Sequence, residues 1–72
     1  MTPQEYLIAT IDLELYDLNN YRKNLKIFAF YEIRKNAMFS KKFFRILEEV
    51  ERVAIEIHTL ETYKSEILNL NN

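Results

Sequence analysis

The stretch that decides the fold is residues 41–69, which read KKFFRILEEVERVAIEIHTLETYKSEILN. Its apolar residues recur at alternating steps of three and four, interrupted only at Lys64. Together these residues form an apolar line along the helix, here called its seam. Its members are Phe43, Ile46, Val50, Val53, Ile57, Leu60 and Ile67. Such spacing keeps apolar side chains on one side of an α-helix. The pattern predicts a helix over about 41–69 that packs lengthwise against another helix.

The first half of the chain predicts a helix over about 3–35. Thr2 and Glu5 have the spacing of a capping box, and Pro3 occupies the first helical position. An apolar stripe then continues at helical spacing. Its members are Leu7, Ile8, Ile11, Leu15, Leu18, Leu25, Ala29 and Ile33. This stripe is the surface that we expect to face the second helix.

The connection between the helices is predicted at about 36–40. Asn36 suits a helix end, and Ser40 suits the cap of the next helix. The predicted fold is therefore all-α, a single helical-hairpin domain spanning residues 1–72. Arg22 and Glu32 lie within the apolar stripe of the first helix. A turn near residue 38 would bring each of them close to the second helix, where we expect buried or half-buried ion pairs. The expected partners are Glu51 for Arg22 and Arg45 for Glu32.

Residues 10–33 also fit a second fold, a β-hairpin followed by a long helix. The segment 11–15 alternates apolar and polar residues with period two, and 25–28 would supply the partner strand. A tight turn between them favours glycine, which the chain lacks, so the Asn19-Asn20 pair would have to form it.

The composition points to self-association. The chain has 72 residues, 49% of them hydrophobic, and no cysteine for disulfides. A domain of this size buries only about 60% of its unfolded surface, and oligomerisation is a usual remedy. We expect a homodimer that forms a four-helix bundle. This architecture resembles the Rop-like dimers of helical hairpins, and the resemblance concerns topology alone and implies no function.

A second set of apolar residues lies off the two predicted seams. We expect it to form an association face, for a second copy or for a different protein. Its members are Tyr6, Leu13, Tyr16, Ile27, Tyr31, Phe44 and Ile55.

Charge is unevenly distributed along the chain. Residues 1–20 carry a net charge of −4, residues 21–45 carry +7 and residues 46–72 carry −4. A hairpin places the basic block at its closed tip. The candidate site there for an anionic partner consists of Arg34, Lys35, Phe39, Lys41, Lys42 and Arg45. The layout fits an antiparallel partner copy, and it also fits nucleic acid, an acidic protein or a lipid headgroup layer.

Chemistry-bearing motifs are scarce. Without cysteine and glycine, the chain has no thiol nucleophile and no glycine-rich phosphate loop. His58 is the only histidine, and its spacing to Glu61 does not match the Glu-x-x-His order of di-metal bundles. A twofold dimer would have to add Glu14 and Asp17 to make a metal site, so we expect a solvated or ion-paired histidine, with no catalytic residue, metal or cofactor.

These features predict a small non-catalytic protein-interaction module: a homodimeric adaptor, inhibitor or assembly factor of the kind that phages and mobile elements often encode. A nucleic-acid-binding protein that uses the basic tip is the alternative. The chain has no apolar run long enough for a membrane span. Glu5 and Asp12 stand where a secretory signal would be basic and then apolar, which predicts a cytoplasmic protein.

Overall fold

The computed structural model describes residues 1–36 and 40–70, and they form two α-helices. Helix α1 spans Pro3–Asn36 and helix α2 spans Lys41–Asn69. The helices pack against each other as a hairpin, and no strand occurs in these two ranges. The all-α prediction is confirmed and the β-hairpin alternative for residues 10–33 is wrong. The helical stripe of α1 extends over about seven turns and outweighs a short alternating segment.

The two helices run antiparallel, as contacts at both ends of the hairpin show. At the open end, the Gln4 side-chain amide donates to the Ile67 carbonyl oxygen at 2.6 Å. Toward the closed end, Lys42 Nζ lies 3.3 Å from Glu32 Oε1. Moving forward along α1 therefore means moving backward along α2.

Both predicted helix N-caps are confirmed. The Glu5 backbone N–H donates to Thr2 Oγ1 at 3.1 Å, and the Thr2 hydroxyl donates to Glu5 Oε1 at 3.2 Å. At the start of α2, Ser40 Oγ accepts from the Phe43 backbone N–H at 3.1 Å. Each side chain satisfies an amide that the first helical turn leaves without a carbonyl partner. Phe39 and the rest of 37–39 lie outside the described residues.

The core follows the two predicted seams. Its buried apolar members are Ile11, Ala29, Phe43, Val53 and Ile57. Val53 has no exposed surface, whereas Leu7 of the predicted stripe is 46% exposed. The remaining seam residues are half-buried because each helix has only one neighbour. A thin, linear core of this kind leaves the sides of both helices open to solvent.

The two polar residues on the α1 stripe find other partners than predicted. Glu32 is buried and pairs with Lys42, three residues before the expected Arg45. The Arg22 guanidinium donates to Asn19 Oδ1 at 2.9 Å, one turn away on its own helix, in place of the expected ion pair with Glu51. A local contact of this kind needs no precise alignment between the helices.

The hairpin is a narrow rod. Its principal extents are 52 × 17 × 13 Å and its radius of gyration is 16.4 Å. A compact domain of this length would have a radius of gyration of about 11 Å. Neither helix has a stretch apolar enough, over the length required, to cross a membrane.

Two isoleucines on α2 test the seam directly. Ile57 is 4% exposed and Ile55 is 61% exposed. Removing a buried aliphatic side chain costs about 2–5 kcal/mol, while an exposed substitution changes stability by about 0.5 kcal/mol or less. We expect Ile57→Ala to lower the melting temperature of the helical circular dichroism signal far more than the control Ile55→Ala. Equal effects would contradict this packing of α2.

Candidate interaction surfaces

The hairpin leaves more large apolar side chains exposed than it buries. Among the described residues, sixteen large hydrophobic side chains are exposed, against five buried apolar residues. Single exposed hydrophobic residues are common on protein surfaces, but a contiguous apolar patch usually marks an interaction site. The location of these residues therefore decides which surface is the candidate site.

Five of them lie along the side of α1 that faces away from α2. Leu13 follows the buried Ile11 by two residues, and Ile27 precedes the buried Ala29 by two. At about 100° per residue, each therefore points to nearly the opposite side of the helix from its buried neighbour. The full set, here called the α1 outer face, is Tyr6, Leu13, Tyr16, Ile27 and Tyr31, with exposures between 55% and 67%. Helix α1 is thus apolar on two opposite sides.

The other two members of the predicted association face belong to α2. Phe44 is 52% exposed and Ile55 is 61% exposed. On helical geometry both point away from the buried Val53 and Ile57. Ile55 borders a groove of about 380 Å³ together with Leu18 of α1. The predicted set therefore divides between two helices, and only its α1 members form one line.

A larger groove adjoins the α1 outer face near the closed end of the hairpin. Its volume is about 510 Å³. It is lined by Leu25, Ile27, Phe28, Tyr31, Glu32, Lys42 and Ile46. Ile27 and Tyr31 belong to both the groove and the α1 outer face. The apolar surface consequently extends from the outer side of α1 around its flank to α2.

The basic residues predicted at the tip do lie at the closed end. Those that the structure describes are Arg34, Lys35, Lys41, Lys42 and Arg45, and all are exposed. Lys42 is engaged by the buried carboxylate of Glu32, although its side chain remains 72% exposed. The Phe43 and Phe44 rings meet edge to face at 5.6 Å. Phe43 is a core residue, which leaves Phe44 as the exposed ring of this pair.

A polar network that the sequence analysis did not single out joins the helices on one flank. The Tyr21 hydroxyl donates to Glu49 Oε2 at 2.9 Å, and Arg52 bridges Glu49 and Glu56. The hydrogen bond from Arg52, and then that from Tyr21, lowers the pKa of Glu49 below its ordinary value. The hydrogen bond to Glu49 raises the pKa of Tyr21. The steps of three and four from Glu49 to Arg52 to Glu56 are a readable helical signal, but the Tyr21 contact depends on tertiary packing.

His58 is exposed, and its backbone carbonyl accepts a hydrogen bond from the Thr62 hydroxyl at 2.9 Å. Within residues 1–36 and 40–70, no group of three or more histidine, aspartate or glutamate residues is arranged to hold a metal ion. Glu14 and Asp17 lie on α1 and do not join His58 and Glu61 in such a group within one chain.

The Glu49 network predicts a pH dependence with a defined sign. Because folding lowers the pKa of Glu49, its stabilisation is present above the ordinary glutamate pKa and is lost as the pH falls through the folded-state value. We expect Glu49→Gln to lower the melting temperature at pH 7 and to have a smaller effect at pH 3. Glu48→Gln, on the exposed neighbouring position, is the matched control. A Glu49→Gln effect that is unchanged between the two pH values would contradict the network's role.

The chain can also be compared with known proteins. No protein-family model, no curated protein and no solved structure matches it. Inferences about function therefore rest on the exposure, charge and packing of its own residues.

Proposed function

We propose that this chain is a small non-catalytic protein-interaction module that works as a homodimer and serves as an adaptor, inhibitor or assembly factor. The observation that supports the proposal is the α1 outer face, a line of apolar side chains that are each more than half exposed in the hairpin. Covering it removes several aromatic and aliphatic side chains from water, each worth about 1.5–3 kcal/mol when fully buried.

The thin core of the hairpin supports the same proposal. Two helices that bury five apolar residues gain little to offset the entropy of ordering so many residues. A partner surface would bury more apolar area, because the side chains that the hairpin leaves exposed would then pack against the partner. The sixteen exposed large apolar side chains are the residues that such packing would bury.

The proposal predicts that charge on the α1 outer face separates the subunits. We expect wild-type chain to sediment as a dimer and Leu13→Glu/Ile27→Glu to sediment as a monomer, because each dimer would bury four unpaired carboxylates. Ile55→Glu is the matched control, since Ile55 is equally exposed but lies on α2. A wild-type chain that stays monomeric, or a double variant that stays dimeric, would count against the proposal.

Nucleic-acid binding is the second candidate function, and the exposed basic tip is the observation that favours it. Arg34, Lys35, Lys41 and Arg45 are available to neutralise phosphates. Phe30 is 69% exposed and offers a ring on which an unpaired base would stack. The overall net charge of −1 weighs against this function, because the two acidic blocks repel the same polymer.

A binding titration separates the two functions. Under the interaction-module proposal, we expect no complex with single- or double-stranded nucleic acid tighter than about 1 μM at ~150 mM salt, where exposed charges are largely screened. Fluorescence anisotropy with labelled oligonucleotides measures it. A submicromolar, salt-resistant complex that Lys41→Glu/Lys42→Glu/Arg45→Glu abolishes would establish the second function in place of the first. The sedimentation of the triple variant serves as its control for folding.

A further inference from the structure

We propose that the α1 outer face is covered by the α1 outer face of a second copy, which runs antiparallel about a twofold axis near Asn20. The inference rests on the homodimer of the proposed function and specifies which helices meet and in which direction. The two α1 helices would lie in the middle of the assembly, with one α2 helix on each outer side. The four helices would then form one layer, in place of the four-helix bundle expected from the composition.

The spacing along the α1 outer face fits a helix–helix contact. Tyr6, Leu13, Asn20, Ile27 and Arg34 follow one another at intervals of seven residues. A repeat of seven keeps one line of side chains facing a partner helix in a left-handed supercoil. Three members of this line, Tyr6, Leu13 and Ile27, are more than half exposed in the hairpin. The line therefore has the geometry of a second packing seam on the same helix.

The charge on α1 selects the antiparallel direction. Residues 3–20 of the helix carry a net charge of −4, and residues 21–36 carry +4. An antiparallel partner places the acidic half of one α1 beside the basic half of the other, where the two attract. A parallel partner would place each half beside its own copy, where like charges repel.

Asn20 is the polar member at the centre of the line. Its amide group carries both donors and acceptors, so two copies related by a twofold axis can hydrogen-bond to each other. A polar residue at one position of an apolar seam fixes the register, because any shift leaves the amide buried without a partner. The same axis brings Leu13 of one copy beside Ile27 of the other, since each is seven positions from Asn20.

The outer side of α2 is a poorer surface for a second copy. Opposite its seam with α1, α2 carries a mainly charged and polar set of exposed residues. They are Lys41, Glu48, Glu51, Thr59, Thr62 and Glu66. Two exposed apolar residues, Phe44 and Ile55, lie on the same side of α2. They are eleven positions apart, which is too sparse for a continuous seam.

Cross-linking of single-cysteine variants tests the arrangement, because the chain has no cysteine of its own. The variants are Leu13→Cys, Ile27→Cys and the α2 control Glu48→Cys, each treated with a short bis-maleimide. We expect an equimolar mixture of Leu13→Cys and Ile27→Cys to give a mixed cross-linked dimer. We expect each of the two alone to cross-link at the level of the control.

The outcomes separate this inference from the proposed function. Self-cross-linking of Leu13→Cys alone would indicate a parallel dimer, and cross-linking at Glu48→Cys would indicate an α2 interface. Either result overturns the antiparallel α1 arrangement and leaves the homodimer intact. A chain that remains monomeric by sedimentation overturns both.

Charge reversal gives an independent test. Glu5→Lys/Asp17→Lys removes the net charge of the acidic half of α1, and Lys23→Glu/Lys35→Glu removes that of the basic half. We expect each double variant to have a dimer dissociation constant raised about threefold or more at low salt, because the attraction between the halves that meet is lost. An equimolar mixture of the two should bind more tightly than either variant alone, because one acidic half then meets one basic half. Unchanged affinity of either double variant alone would contradict the antiparallel pairing.

Discussion

Helix α1 is apolar on two opposite sides, but the hairpin provides a neighbour for only one of them. Ile11 and Ala29 are buried against α2, while Leu13 and Ile27, two positions away, are exposed to solvent. A helix in this situation either loses the burial that its sequence can supply or finds a second neighbour. The narrow core, the large exposed apolar area and the proposed self-association all follow from this imbalance.

Helix α2 has a simpler division between its two sides. Its heptad seam faces α1, with Val53 fully buried, and its outer side is mainly charged. Where Lys64 interrupts the seam, its ammonium group reaches Asp12 of α1 at 2.6 Å, so the interruption contributes a cross-helix contact. Exposed pairs of this kind contribute little to stability, and they act mainly by favouring one alignment of the helices. The two helices therefore differ: the outer side of α2 is mainly charged, whereas the outer side of α1 carries a line of exposed apolar residues.

The uneven distribution of charge makes the two ends of the hairpin different. The acidic and basic blocks of the sequence become opposite ends of a rod 52 Å long. Helix capping does not account for the arrangement, because Lys41 and Lys42 stand in the first turn of α2, where the helix dipole disfavours positive charge. The hydrogen bond of Ser40 and the buried carboxylate of Glu32 offset part of that cost. An antiparallel second copy would place each end of the rod beside its opposite.

The sequence by itself determined the two helices, their caps and the distribution of charge, since each depends on residues within a few turns of one another. The Ser40 cap and the apolar seams are examples. Tertiary structure decided the alignment across the hairpin, which pairs Glu32 with Lys42, and it separated Phe44 and Ile55 from the α1 outer face. The reason is physical: periodicity specifies which side of a helix is apolar, whereas the sliding and rotation of one helix against another depend on how side chains from both fit together.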